Sequence, residues 1–435
     1  MLTDVLVPGN RWDLLAPYPI PTPRVSVVVT HYEQPHQLQR TCLALHRQTA
    51  PPLEIIIADD GSATPPAPPT GGPPTRVVRQ PDRGFRAAAA RNLGARHSSG
   101  EVLVFLDADT VPEPDFLREI VATVSRCPDA LAVGRRRHAD FTGTAPDAHP
   151  ATATHLPEPT WLTEGYTTSR NLLDADGRSF RHVISALLAC RKTLFEELEG
   201  FDERFTGYGG EDWDLGYRAW NAGAVLVHER SATAWHDGPD WEGRDSDREA
   251  LDRQSARLAA LIPEPTTRGA ALPIDLPDVL VDLSPTADPF RTTHSLLRQD
   301  FRDLKIRLPP DADPAALELY GRTAQTEAWS PDQLRRCRAR LHARAPLPPG
   351  AVTTAMNLLV DKDLAQVTLT ATGDEVATLT STRSTARAHR WRNRFSSEEI
   401  RDQFGTAHIE TGPPPPPRTT LAGFFEKRDP STPQP

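Results

Sequence analysis

Cysteine is scarce in this sequence, with four residues in 435. Cys42, Cys127, Cys190 and Cys337 lie far apart and show none of the short spacings that ligate zinc or build a disulfide framework. Because disulfides are rare in reducing compartments, this pattern predicts a reduced, cytoplasmic protein.

Long hydrophobic runs are lacking as well. A membrane-spanning helix needs roughly 20 apolar residues in succession, and the sequence contains no such run. The N-terminus, MLTDVLVPGN, has neither the basic start nor the apolar stretch of a secretory signal. We therefore expect no transmembrane segment.

Positive charge is not in excess either. The formal net charge is -9, and no basic tract stands out. The sequence therefore gives no reason to expect nucleic acid or an anionic membrane surface as a partner.

Proline is abundant, with 44 residues, and its dense stretches at 65–74 and 413–417 predict a surface loop and a tail. A polar helix predicted over 241–261 ends at Pro263-Glu264-Pro265, where we expect a boundary. The length suggests two or three domains. The predicted segments are a lead-in (1–23), a first domain (24–262, with halves 24–134 and 135–262), an accessory domain (275–410) and a tail (411–435).

The first domain opens with a strand–helix–strand pattern. Residues 24–30 and 53–58 are β-branched apolar runs, and residues 35–48 between them carry Leu38, Cys42 and Leu45 at helical spacing. Short links predict a right-handed βαβ unit with parallel strands. Residues 75–78 would add a third strand.

An unbroken apolar run, residues 102–106, predicts a strand buried on both faces. Asp107 and Asp109 follow it directly, where open α/β sheets place their ligands. Two carboxylates so close repel each other, and a divalent cation shared with a phosphate would stabilise them. The alternative is a simple turn.

Two neighbouring motifs also allow both a ligand-binding and a purely structural interpretation. Asp60, in the Asp-Asp-Gly-Ser that follows the second strand, could accept from a base or ribose, or only shape a turn. Arg86 and Arg91 lie near one face of an alanine-rich helix after Gly84. They could neutralise a diphosphate, or form a solvated basic face.

The four stretches VSVVVTHYE, IIIADDGS, DRGFRAAAARNLGA and VLVFLDADT, in this order, resemble a family-2 glycosyltransferase of the GT-A fold. The resemblance implies an α/β protein with a Rossmann-like, mostly parallel sheet flanked by helices. It also implies a nucleotide-sugar donor and a metal, Mn²⁺ or Mg²⁺, on its diphosphate. By position, the donor site would comprise Thr30, Tyr32, Glu33, Asp60, Arg83, Arg91 and Asp107, and the metal site Asp109 and Asp107.

The second half of this domain has little periodicity over residues 135–182. Trp161 and Tyr166 fall in this apparently irregular stretch, as part of a sugar platform or as packing anchors. A buried strand is predicted over 184–190 and a short helix over 191–198. Two further strands are predicted at 224–228 and 231–236.

Residues 206–223, TGYGGEDWDLGYRAWNAG, place a glycine-rich loop before an acidic helix start. N-terminal capping is the simpler interpretation. The segment resembles the G-x-G-G-E-D module of galactosyltransferase-like and chondroitin-polymerase-like enzymes. The resemblance implies Asp212 as the base, Glu211 on sugar hydroxyls, and Trp213 and Gly210 at the acceptor. As part of a sugar platform, Trp161 would also belong to the acceptor site. It assigns His236 to the metal, with His228 as runner-up.

The last third carries a faint echo of the first βαβ unit, since RTTHSLLRQDFRDLKI at 291–306 parallels RTCLALHRQTAPPLEI at 40–55. Asp311 would then match Asp60. A second D-x-D, Asp361 and Asp363, follows an apolar run, but turn residues are the favoured interpretation. Residues 366–382 alternate like a hairpin. We predict a smaller α/β or α+β domain, degenerate and non-catalytic, that helps bind the acceptor or another subunit.

Together these features predict a metal-dependent, inverting glycosyltransferase that uses a UDP-sugar. The acceptor is left open among a glycan, a peptide and a small natural product, and a homo-oligomer is one option for quaternary structure. One alternative is an inactive sugar-nucleotide-binding scaffold. The other is a nucleotidyltransferase, which the sequence THYEQP after the first strand disfavours because it lacks a glycine-rich basic signature.

Overall fold

The computed structural model describes residues 4–15, 23–239, 248–269, 275–285, 288–311 and 320–413, apart from the side chain of Arg322. The predicted helical residues 241–247, Asp313 and the tail beyond 413 lie outside the described residues. The chain divides into two compact units. The first comprises Met1–Asp278, Pro331–Arg338 and Thr382–Phe404, and the second Val279–Ser330, Ala339–Ser381 and Gly405–Pro435.

The first unit is built on a sheet with the order β3-β2-β1-β4-β8-β6-β9-β5, and β7 pairs with β6. Strands β3, β2, β1 and β4 run parallel, and β8 is antiparallel to β4. The predicted α/β class and βαβ unit are confirmed. The strands are β1 (Val25–His31), β2 (Glu54–Asp59), β3 (Thr75–Arg79), β4 (Val102–Asp107), β5 (Thr110–Pro112), β6 (Ala130–Asp140), β7 (Thr154–Leu156), β8 (Leu187–Arg191) and β9 (Val225–Asp237).

Helices cover the faces of this sheet, because its central strands are apolar on both sides. Val27, Val28 and Val29 of β1 are all fully buried, as an uninterrupted apolar run requires. The helices along this part of the chain are α1 (Pro35–His46), α2 (Ala87–Arg96), α3 (Phe116–Ile120), α4 (Thr160–Thr168), α5 (Lys192–Glu197), α6 (Glu211–Asn221), α7 (Arg248–Leu261) and α8 (Pro265–Arg268).

The interpretation of residues 135–182 as irregular is wrong in two places. Strand β6 extends through Arg135 and Arg137, whose guanidinium groups both pair with Glu158 at 3.0 Å. Charged side chains with such partners hide the alternation that marks a strand. Trp161 and Tyr166 lie on α4. The two strands predicted at 224–228 and 231–236 form one strand, β9, with a shift of register.

Three C-terminal helices complete the first unit, although they fall within the range predicted for the accessory domain: α10 (Pro331–Arg336), α12 (Thr382–Trp391) and α13 (Ser397–Phe404). Side chains of these helices bond buried carboxylates of the first unit. Arg336 bonds Asp214 at 2.5 Å, and Arg390 and Trp391 bond Asp129 at 2.6 and 2.8 Å. Since a buried charge needs a partner, these helices stabilise the first sheet.

We expect Arg390→Gln to lower the free energy of unfolding of the first unit by about 3 kcal/mol, because it leaves the fully buried Asp129 without its closest cation. Arg392→Gln is the matched control, since Arg392 is exposed on the same segment. Urea unfolding followed by tryptophan fluorescence measures both. Equal stability of the two variants would contradict the assignment.

The second unit repeats the topology of the first. Its sheet has the order β12-β11-β10-β13-β15-β14-β16. Position by position, the parallel and antiparallel pairings are those of β3-β2-β1-β4-β8-β6-β9. The elements are β10 (Val279–Leu283), α9 (Pro289–Leu297), β11 (Leu304–Arg307), β12 (Ala324–Gln325), β13 (Ala339–Ala343), α11 (Ala351–Asp361), β14 (Gln366–Ala371), β15 (Asp374–Ser381) and β16 (Thr406–Glu410).

The acidic pair of the first unit has no counterpart in the second. Val102 and Ala339 begin the matching strands, each paired with the first residue of the central strand. Counting from them places Arg344 and Pro346 where Asp107 and Asp109 stand. The apolar run before Asp361 and Asp363 is helix α11, and Asp363 lies in the turn after it. The second D-x-D therefore follows no strand.

Candidate active site

The carboxyl ends of β1, β2 and β4 meet at one edge of the first sheet. Thr30 pairs in register with Asp107, and His31 with Asp59. Parallel strands end together, so residues that follow different strands become neighbours. The structure thus gathers at this edge side chains that are about 80 positions apart in sequence.

Asp60 lies at the nucleoside end of this edge and is almost completely buried. Its carboxylate accepts from the Gln80 side chain at 2.5 Å and from the backbone N–H of Arg86 at 2.7 Å. Burial raises its pKa. Beside it, the hydroxyl of the exposed Tyr32 lies 3.4 Å from Asp82.

Three other predicted donor residues differ in their surroundings. The hydroxyl of Thr30 is buried and has no hydrogen-bond partner among the described residues. Glu33 has a positive φ of 52° and accepts from the backbone N–H of Ala63. Arg83 is exposed. Of these three, Thr30 has a buried polar atom that a ligand could satisfy.

The sequence interpretation missed a network around Asp59, the first acidic residue of Asp-Asp-Gly-Ser. Asp59 is fully buried and bonds His31 at 2.8 Å, Arg79 at 2.8 Å and the Ser62 hydroxyl at 2.6 Å. These bonds fix the loop that carries Asp60. The signal in the sequence was the polar residue at the very end of each strand.

Arg91 joins the two halves of the site. Its side chain is 4% exposed and bonds Asp107 at 2.7 Å and Glu211 at 2.9 Å. Burial opposes its charge, but Asp107 and Glu211 raise its pKa. Arg91 therefore links the D-x-D turn to the start of α6. It is buried and ion-paired rather than on an open basic face.

Asp212 differs from its neighbour Glu211. Glu211 pairs with Arg91, whereas Asp212 accepts from the backbone N–H of Trp213 at 2.9 Å. Burial, and then the charge of Glu211, raise the pKa of Asp212 to about 7, against the smaller opposing effect of Arg91. A carboxylate with such a pKa is suited to accept a proton near neutral pH.

Asp109 and His236 form the part of the site that suits a cation. The Nε2 atom of His236 lies 3.6 Å from Oδ2 of Asp109. The carbonyl oxygen of Gly238 can only accept a hydrogen bond, so the Nδ1 atom of His236 donates to it. In the neutral ring, Nε2 then carries a lone pair that faces the carboxylate of Asp109. Two facing acceptors of this kind fit an ion such as Mn²⁺.

The two other residues considered as metal ligands, Asp107 and His228, have partners within the protein. Asp107 is engaged by Arg91, and within the described part of the chain no three His, Cys, Asp or Glu side chains converge as a metal site. His228, the runner-up, stacks on Tyr166 at 3.6 Å and bonds Asn171. Burial lowers its pKa to about 3.

The residues predicted at the acceptor, Trp213, Trp161 and Gly210, contact other side chains of the first unit. Trp213 packs edge-on against Phe180, and the Arg181 guanidinium lies 5.7 Å from its ring. Trp161 stacks on His182 at 6.5 Å. Gly210 begins α6 with a φ of 95°, and an added Cβ would lie 2.9 Å from the Phe205 ring. A side chain at 210 would therefore distort the start of α6.

Two family models match this part of the chain. Residues 26–198 match Glycosyl transferase family 2, and residues 178–231 match the N-terminal domain of galactosyltransferase. The chain carries a family-2 glycosyltransferase domain. The two matches overlap at residues 178–198, and Arg91 of the family-2 match bonds Glu211 of the second match.

Curated relatives agree with this assignment. The chain is 30% identical over 250 residues to the hyaluronan synthase of Pasteurella multocida, and the alignment covers 52% of this chain and 26% of that protein. It is 30% identical over 240 residues to the validoxylamine A glucosyltransferase of Streptomyces hygroscopicus subsp. limoneus, covering 50% and 53%. The match thus spans a quarter to a half of these relatives.

Among solved structures, a complex of GalNAc-T7 with UDP, GalNAc and Mn²⁺ aligns with a TM-score of 0.40 at 20% identity, covering 56% of this chain and 48% of that one. Within the described residues, no helix has the length and apolar character needed to cross a membrane.

We expect His236→Gln to weaken Mn²⁺ binding in the presence of UDP by about tenfold or more, because it removes one of two facing ligands. Calorimetry measures the affinity. His97→Gln, at an exposed position on the same unit, is the control. Unchanged Mn²⁺ affinity in His236→Gln would remove this residue from the metal site.

Proposed function

We propose that this protein is an inverting, metal-dependent glycosyltransferase that moves a sugar from a UDP-sugar to an acceptor hydroxyl. Asp212 accepts the proton of that hydroxyl, and the nucleoside lies against Asp60, Thr30 and Tyr32. One base opposite one leaving group gives a single displacement, hence inversion at the anomeric carbon.

The observation that carries this proposal is the division of charge around Arg91. Arg91 pairs with both Asp107 and Glu211, and Asp212, next to Glu211, has a raised pKa. The second side-chain oxygen of Glu211, Oε2, is buried with no partner among the described residues. That oxygen is placed to accept from a sugar hydroxyl.

The metal belongs to the proposal through Asp109 and His236, which would hold it. Bound there, a divalent ion would stabilise the negative charge of the departing nucleoside diphosphate. The proposal also places the protein in the reducing cytoplasm, and the four cysteines, all buried and free, accord with it. An inactive scaffold is the alternative that activity measurements exclude.

Asp212→Asn should abolish transfer, with kcat reduced by about 10²–10⁴-fold, because the amide cannot accept the proton. UDP-sugar binding should change little. Glu164→Gln is a control at an exposed carboxylate of α4. Transfer is followed by release of UDP. Full activity in Asp212→Asn would identify another base, and no UDP-sugar binding in the unaltered protein would favour the scaffold.

The pH dependence of transfer gives a second test. Because the raised pKa of Asp212 keeps it protonated in acid, kcat/KM should be maximal above that pKa and fall as the pH drops through it. Glu211→Gln removes a neighbouring negative charge, so the midpoint should move to lower pH even if the rate falls. A midpoint that stays fixed in Glu211→Gln would assign the titration to another group.

A further inference from the structure

The second sheet has two unlike faces. One face packs against α9 and α11 through a core that includes Val281, Leu341, Leu369, Leu296 and Met356. On the other face, Leu280 is fully buried, but the cross-strand registers align half-buried or exposed polar side chains around it: Arg307, Arg340, His342, Thr378, Thr380 and Gln366.

A polar face is unexpected over the parallel strands β11, β10 and β13. Parallel sheets occur almost only with both faces covered. In the first unit, Val28 and Phe105 lie beneath helices: Gly94 of α2 packs on Val28, and Phe195 of α5 packs on Phe105 at 5.0 Å. Asp282 and His342 occupy the matching positions of the second unit.

The connecting helices that match those covering the first sheet are grouped with the first unit. In the first unit, α2 joins β3 to β4, and α5 and α6 lie between β8 and β9. The corresponding connections of the second unit contain α10 and α12–α13, which belong to the first unit. At the matching positions, the second unit therefore has polar side chains, which suit contact with water or a ligand.

The charges on this face favour an anionic ligand. Asp282 is 14% exposed and accepts from Trp329 at 2.9 Å, while Arg307 and Arg340 pair with it at 2.8 and 3.0 Å. The two guanidinium groups are 37% and 45% exposed. This half-buried carboxylate between two arginines leaves one net positive charge in the group of three, and guanidinium groups bond carboxylates well.

The neighbouring residues favour a hydroxyl-rich ligand. Thr380 lies between Arg340 and Gln366 across the sheet, and Thr378 lies beside His342. Such donors and acceptors repeat at the strand spacing of about 4.8 Å. A protein partner would instead need an apolar centre depleted in charge.

We propose that the polar face of the second sheet binds a chain of sugars that carries uronic acid carboxylates. Arg307 and Arg340 hold a carboxylate, and the threonine and glutamine side chains bond sugar hydroxyls. The use of this glycan as the acceptor rests on the transfer reaction proposed above, whereas binding itself does not.

The test uses calorimetry on the full chain with an octasaccharide of alternating uronic acid and N-acetylhexosamine. A neutral malto-oligosaccharide of equal length and inorganic polyphosphate are the comparison probes. We expect binding of the uronate octasaccharide that weakens by about tenfold or more in Arg307→Gln/Arg340→Gln. Arg298→Gln, exposed at the end of α9 on the helical side, should bind within about twofold of the unaltered chain.

Thr380→Glu is a second variant that leaves both arginines paired with Asp282, so a loss of binding cannot be attributed to loss of those ion pairs. Its new carboxylate should repel the anionic ligand. This variant should also weaken binding. Equal binding of polyphosphate would reassign the face to general anion binding. Affinity unchanged in both variants would place the glycan elsewhere, and no octasaccharide binding at millimolar concentration would overturn the proposal. Concentration-dependent self-association lost in the variants would assign the face to a second copy of the chain.

Kinetics separate this inference from the catalytic proposal. In Arg307→Gln/Arg340→Gln, the KM for a long acidic acceptor should rise while kcat and the hydrolysis of UDP-sugar stay unchanged. Absence of UDP-sugar hydrolysis in the unaltered chain would contradict the catalytic proposal alone. An acceptor KM that is unchanged in the variants, with hydrolysis intact, would contradict the acceptor role alone.

Discussion

The arrangement of the candidate site depends on one buried arginine. Arg91 is enclosed by protein and holds Asp107, from the carboxyl end of β4, and Glu211, from the start of α6. A buried guanidinium without these carboxylates would be very costly, and each carboxylate would otherwise face its neighbour's charge. The three groups therefore require one another. The D-x-D turn and the G-G-E-D helix are held at a fixed separation as a result.

The same rule, that a buried charge must be paired, explains the organisation of the chain. Asp129 and Asp214 are fully buried in the first unit, and their partners Arg390 and Arg336 come from beyond residue 330. These contacts draw α10 and α12–α13 into the first unit. The second sheet has the strand order of the first, although these three helices belong to the first unit, and one of its faces is polar. The repeated sheet and the grouping of its connecting helices with the first unit are therefore linked features of the structure.

The positions of the central strands along the chain, and the acidic residues that follow them, were predictable because both have local signals. Apolar runs give β1, β2 and β4, and polar residues follow each run at once. Strand β6 and helix α4 were missed because their charged or aromatic side chains find partners that are distant in sequence, such as Glu158 for Arg135. A periodicity rule detects a buried face only when apolar residues form it.

The sequence by itself determined the α/β class, the place of the candidate site at the strand ends, and the likeness of residues 291–306 to 40–55. Only the tertiary structure decided which carboxylate is paired and which has a raised pKa. Asp107, Glu211 and Asp212 are equally acidic in the sequence, and the contact with Arg91 distinguishes them. Pairing and burial depend on residues far apart in the chain, and these are properties of the folded protein.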